Sequence, residues 1–148
     1  MLADNGAHVS VIKSEDENGM KYNYLNRNKE TIIVNLKKKE ERERLKTAIL
    51  PTTDVILESY RPGVMEKLGL SPEEVHKIKP SIIFVRLSGY GNALTKYTHL
   101  AGHDMNYLAV SGILNKFKRT AKNSIPVPPS NLLADFYSGS LYCFNLVL

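Results

Sequence analysis

Two side chains in this sequence have the types that proton transfer at carbon requires, a histidine and a carboxylate on separate segments. His103 lies in residues 101–112, AGHDMNYLAVSG, and opens an expected helix whose next turns carry Met105, Tyr107, Leu108 and Val110. A histidine near a helix N-terminus is held toward its neutral form, the state a general base needs. The plainer reading is a capping or packing histidine beside Asp104. Asp135 is the single acidic side chain in residues 131–148, NLLADFYSGSLYCFNLVL. Buried there without a partner, a carboxylate would cost several kcal/mol or take up a proton, and a carboxyl with a raised pKa is a candidate general acid. The alternative is a cap or surface turn, because Pro128, Pro129 and Ser130 come just before this helix.

The elements that must position these residues follow from local patterns. Residues 8–13, 31–36, 54–58 and 81–87 are β-branched runs of strand length. Residues 38–49, KKEERERLKTAI, form a charged helix in which Glu40 and Arg44 stand at i,i+4. Ser71-Pro72-Glu73-Glu74 combines an N-cap, a proline at the first helical position and an acid placed to reciprocate the cap. That helix should stop before Pro80. Strands alternating with helices imply parallel pairing through right-handed crossovers, so the expected class is α/β. His103 then follows the turn Ser88-Gly89-Tyr90-Gly91 at the carboxyl end of the fourth strand, where open α/β sheets bind ligands. Residues 1–6 resemble a last helical turn closed by Gly6, and 126–129 an extended connection.

Other signals are weaker. Gly89-Tyr90-Gly91 lacks the third glycine of a dinucleotide fingerprint and reads as a tight turn. Arg61-Pro62-Gly63 begins a short helix where an arginine could meet a phosphate, although a surface role is commoner. Lys116, Lys118, Arg119 and Lys122 form a basic cluster that suits a solvated loop or the steering of an anion.

Composition bounds what these residues can serve. With 148 residues, 43% hydrophobic and 24% charged, the chain is globular in type and of the size of one domain, about 150 residues. No window approaches the ~18 apolar residues of a membrane span, so stable membrane insertion is not expected. The start MLADNGAHV has no targeting pattern, and a soluble, intracellular protein is expected. One cysteine, Cys143, excludes an internal disulfide, and no cluster has zinc spacing. A net charge of +5 favours anionic partners. Nucleic acid is not expected among them, because no aromatic residues alternate with the basic cluster as a stacking platform. The end on apolar Leu146-Val147-Leu148 and the short lead before Gly6 read as a piece of a longer frame cut inside helices.

LAGHDMNYLAVSG at 100–112 and NLLADFYSGSL at 131–141 closely resemble the α-methylacyl-CoA racemases of the CaiB/BaiF-like family III CoA-transferase superfamily. VNLK at 34–37, ESYRPGVMEKLGLSPEEV at 58–75 and RLSGYG at 86–91 extend the likeness across nearly the whole chain in family order. The resemblance implies a Rossmann-like parallel sheet with flanking helices. It makes residues 1–148 part of a large domain truncated at both ends, without a complete second domain. It also implies that 2-methyl-branched acyl-CoA thioesters are epimerised, with His103 and Asp135 moving the α-proton on opposite faces. Val34, Asn35, Leu36 and Lys37, then Arg61, and then Gly102, Asp104, Met105, Asn106 and Tyr107 match segments that line the acyl-CoA site. CoA belongs to the substrate, so no separate cofactor is expected. A CoA-transferase with Asp135 as nucleophile, or a non-catalytic CoA-binding fragment, is the alternative. Similar proteins form interlocked homodimers and imply lipid metabolism in peroxisomes or mitochondria. They also begin earlier, carry a later glutamate that assists the histidine, and have a basic residue where Ser14 stands. Their Gly-Pro after the GYG turn is replaced within residues 92–96. The chain alone is therefore expected to be poorly soluble or dependent on a partner, and catalytically silent.

Overall fold

The computed structural model describes residues 1–14, 24–93, 95–118 and 124–148. They divide into two compact units, Met1–Ile56 with Met65–Ile83, and Leu57–Val64 with Phe84–Leu148.

In the first unit a tight turn at Ala3–Asn5 ends where Gly6 takes φ 94° and donates its N–H to Ala3 O. Only a residue tolerant of the left-handed region closes a turn this way. Strands β1 (Val9–Lys13) and β2 (Lys29–Ile33) pair in parallel, with Val9 opposite Lys29 and Lys13 opposite Ile33. β2 therefore runs earlier than the expected 31–36. The reason is Asn35: its Oδ1 accepts from Lys37 N–H at 3.0 Å, and its own carbonyl accepts from Lys38 N–H at 3.0 Å. This side-chain turn competes with continued pairing and bends the chain out of the strand.

Helix α1 (Lys39–Arg44) continues as a wider π-helical stretch, Leu45–Ile49. Its ion pairs are Lys38–Glu41 and Lys46–Glu43, both 3.1 Å and at i,i+3. The expected Glu40–Arg44 pair is not among the described ion pairs. The short helix α2 (Val64–Lys67) and helix α3 (Pro72–Ile78) follow. Ser71 Oγ accepts from Glu74 N–H at 3.3 Å, and Pro72 occupies the first helical position, as the sequence indicates. The Glu74 carboxylate does not return to the cap; it pairs with Lys77. Val34, Leu45, Leu50, Met65, Leu70, Val75 and Ile82 form the unit's buried core.

Strands β3 (Val55–Glu58) and β4 (Ile83–Arg86) contain the boundary between the units. Ile83 N–H donates to Asp54 O and Leu87 N–H to Glu58 O, so both strands advance together in a parallel register. The described strands thus form two two-stranded sheets, β1–β2 and β3–β4. The mixed α/β class with parallel strands is as expected.

The second unit carries helix α4 (Asp104–Val110), a π-helical stretch at Ala134–Leu141 and helix α5 (Tyr142–Val147). Leu108 and Cys143 are buried, whereas Met105 and Val110 are exposed, so only part of the expected apolar face of α4 is covered. Phe136, Tyr137, Tyr142 and Leu146 also face outward. Among the described residues, no helix is long and apolar enough to cross a membrane.

Candidate active site

In the first unit, residues 34–37 are held by the helix that follows them. Val34 is buried. Asn35 N–H donates to Glu41 Oε2 at 2.5 Å, while Arg42 Nη1 donates to Leu36 O at 2.7 Å and Lys37 O at 3.0 Å. The charged face of α1 therefore shapes the main chain of this segment, a role that no sequence signal within 38–49 discloses. The Asn35 N–H, with Lys38 beside it, holds the Glu41 carboxyl below the ordinary glutamate range. A depressed folded value means that the contribution is complete at neutral pH and fades as pH falls through the ordinary ~4.3 and then the folded value. The Asn35 amide resonance should accordingly keep its carboxylate-bonded shift through the ordinary glutamate range and lose it only on acidification below that range. In Glu41→Gln this step should vanish; an Asn35 amide that titrates as before would show that Glu41 is not its partner.

In the second unit, Arg61 is exposed and its carbonyl accepts from Val64 N–H. The turn before it is tied down by Glu58, a buried carboxylate that accepts from Arg86 Nε at 2.7 Å and from Tyr60 N–H at 2.8 Å. An ion pair with one oxygen on a guanidinium and the other on a backbone donor is the arrangement in which a buried charge is tolerable.

His103 is the N-cap residue of α4, with extended backbone (φ −130°, ψ 173°), and its side chain is exposed. Its own N–H donates to Asn106 Oδ1 at 2.9 Å. Tyr107, one turn on, donates its hydroxyl to Gly102 O at 2.7 Å. The Tyr107 ring meets Tyr90 edge-on at 5.0 Å, and Tyr97 lies 5.7 Å from Tyr90 on its other contact. These rings explain two glycines. A Cβ on Gly89 would stand 2.6 Å from Tyr107 Cζ, and one on Gly102 would stand 2.7 Å from Tyr107 Cε1 and 2.8 Å from Tyr90 Oη. The glycine-rich turn after β4 thus packs closely on Tyr107 through Gly89 and, through Tyr90, on Gly102, the residue before His103.

Asp104 lies beside His103 and is 8% exposed. Its Oδ1 accepts from Ala134 N–H at 2.6 Å and from Asp135 N–H at 3.2 Å. The helix carrying Asp135 therefore starts against the helix that His103 caps. Asp135 itself is exposed, which corrects the alternative of a carboxyl sunk in an apolar wall. Its place in the first turn, with the chain entering from 124–133, leaves the side chain at the solvent boundary. The Asp135 charge still reaches Tyr107: burial first, then Tyr90 and Asp135, push the phenol above its ordinary value and keep it a donor.

The structure thus gathers Gly102, His103, Asp104, Asn106, Tyr107 and Asp135 in one unit, with Met105 exposed on the same helix. Arg61 is in that unit too, and residues 34–37 belong to the other. Lys116 and Lys118 are exposed, whereas Arg119 and Lys122 lie outside the described residues. Glu41, Arg42, Glu58 and Arg86, which support the candidate residues from a distance, have no local signal that separates them from surface charges. Among the described residues, no group of three or more His, Cys, Asp or Glu is arranged to hold a metal ion.

The family model of CoA-transferase family III matches residues 1–148. The chain is 43% identical to the α-methylacyl-CoA racemase of Homo sapiens over 97% of its own length, and spans 36% of that protein. It is 32% identical to the human succinyl-CoA:glutarate CoA-transferase, covering 86% of this chain and 28% of that one. A solved CAIB/BAIF family protein from Brucella suis superposes with a TM-score of 0.80 at 24% identity, over 99% of this chain and 42% of the other. The chain therefore spans about a third of the racemase it matches, and it belongs to CoA-transferase family III.

Proposed function

We propose that this chain forms the proton-transfer site of an α-methylacyl-CoA racemase acting on 2-methyl-branched acyl-CoA thioesters. One observation carries the reading: the residue after His103 accepts a hydrogen bond from the main chain of Asp135, so two candidate proton carriers stand at adjoining helix starts. A thioester acidifies its α-hydrogen. One of the two groups takes that proton and leaves an enolate, and the other delivers a proton to the opposite face. Bond count and charge are conserved over the cycle, and the carbon is inverted. The 43% identity to a protein named for this reaction supports the reading over transfer. In the second unit Arg61, Gly102, Met105, Asn106 and Tyr107 are proposed acyl-CoA contacts, while the Asp104 side chain is committed to the amides of Ala134 and Asp135; in the first unit residues 34–37 are proposed acyl-CoA contacts. Lipid metabolism in peroxisomes or mitochondria and an interlocked homodimer belong to the same proposal.

The test is incubation of the chain, extended to the length of its relatives, with a 2-methylacyl-CoA in deuterium oxide. Deuterium should enter the α-position with loss of stereochemical purity, and hydroxylamine should trap no acyl group on Asp135. Proton transfer forms no acyl-enzyme, whereas a transferase would pass through a mixed anhydride on this carboxylate. A mass increment on Asp135 without α-deuteration would establish the transferase reading instead.

A further inference from the structure

We propose that Asp104 is a positioning residue whose buried carboxylate sets where Asp135 stands relative to His103. The inference rests on the proton-transfer reading above and adds to it a residue whose side chain meets protein, not substrate. The first amides of a helix lack partners within the helix, and a side chain at the cap position normally supplies one. The residue at that position here is Leu133, which has no acceptor to offer. Asp104 takes over the task from about thirty residues away in sequence, accepting from both Ala134 N–H and Asp135 N–H through a single oxygen. A carboxylate at this end of a helix also meets the positive pole of its peptide dipoles, which offsets part of the cost of its burial.

The consequence is geometric. Asp104 is the residue next to His103 in the chain, and His103 is itself anchored because its N–H donates to Asn106. Asp135 contributes its own amide to the Asp104 carboxylate. Both proton carriers are thereby referred to one buried group, and neither can shift without straining the bonds that group accepts. The reach of the Asp135 charge to Tyr107, on the same turn of α4, accords with this proximity. Misplacement by about 1 Å costs about 10²-fold in rate, so a group that removes such slack affects turnover without touching substrate.

The test compares Asp104→Ala with Asp104→Asn, which keeps an acceptor oxygen in the same place. In the 148-residue chain, the amide resonances of Ala134 and Asp135 should move together in both variants, further in the alanine one. In the chain extended to family length, Asp104→Ala should lower kcat for α-deuteration about 10²-fold with KM little changed, and Asp104→Asn should restore most of the loss. If the alanine variant does not fold, the asparagine variant decides, since it must shift both amides. Amides that stay where they were overturn the proposal whatever the activity. Amides that move while kcat holds in the alanine variant overturn it as well. A protein whose amides respond but which never exchanges an α-hydrogen overturns the proton-transfer reading and leaves Asp104 as the support of Asp135.

Discussion

Alanine at His103 or at Asp135 is expected to cut α-deuterium exchange by about 10²–10⁴-fold, the range a positioned acid or base supplies. The two losses should differ by substrate epimer. If each group serves one face of the α-carbon, the isomer whose hydrogen faces His103 needs that side chain for the first step. The mirror isomer needs Asp135. His103→Ala should therefore slow exchange from one epimer more than from the other, and Asp135→Ala should reverse the preference. Both should abolish inversion, since inversion uses both faces. The double variant should be little worse than the poorer single one, because groups acting in one cycle are not additive. Both side chains are exposed, so neither substitution removes core packing, and thermal unfolding should stay close to that of the parent. Measurement needs each epimer of a 2-methylacyl-CoA, with proton and mass spectra taken at early times. Near-normal exchange in both variants would defeat the assignment of these residues.

Glu58→Ala is expected to lower the unfolding free energy by about 3–5 kcal/mol, the usual cost of breaking one side of a buried ion pair. The Glu58 side chain is 5% exposed and that of Arg86 18%, so solvent does little to compensate for the lost carboxylate. The Tyr60 amide loses its acceptor in the same step. Glu58→Gln keeps an acceptor for that amide and should cost clearly less. Because the turn from Tyr60 to Gly63 is anchored only at Glu58 and where Val64 N–H meets Arg61 O among the bonds described, the alanine variant should also free Arg61. Urea titration of both variants gives the difference directly. A stability change within about 0.5 kcal/mol, typical of an ordinary surface substitution, would mean that the pair is effectively solvated.

Several features of the protein were legible without coordinates because they are written within a few residues. Ser71 and Pro72 start α3 where a cap and a fixed φ favour it, and the helix ends at Ile78, ahead of Pro80. Gly6 closes its turn with a positive φ, and the β-branched runs at 9–13, 55–58 and 83–86 became strands close to their expected bounds. His103 could be placed at the start of a helix for the same local reason, though not the use made of its side chain. What the sequence by itself determined was thus the kind of element at each place, through side-chain period, caps and turn formers. The tertiary structure alone decided which charges matter. Asp104 and Asp135 are 31 residues apart, and Glu58 and Arg86 are 28 apart, yet each pair is joined by a hydrogen bond. The end of β2 was likewise decided by Asn35 together with Glu41, which compete with continued strand pairing. The exposure of Asp135 depends on how the chain enters its helix. A carboxylate reads the same in sequence whether it meets water or a distant amide, and only folding selects between them.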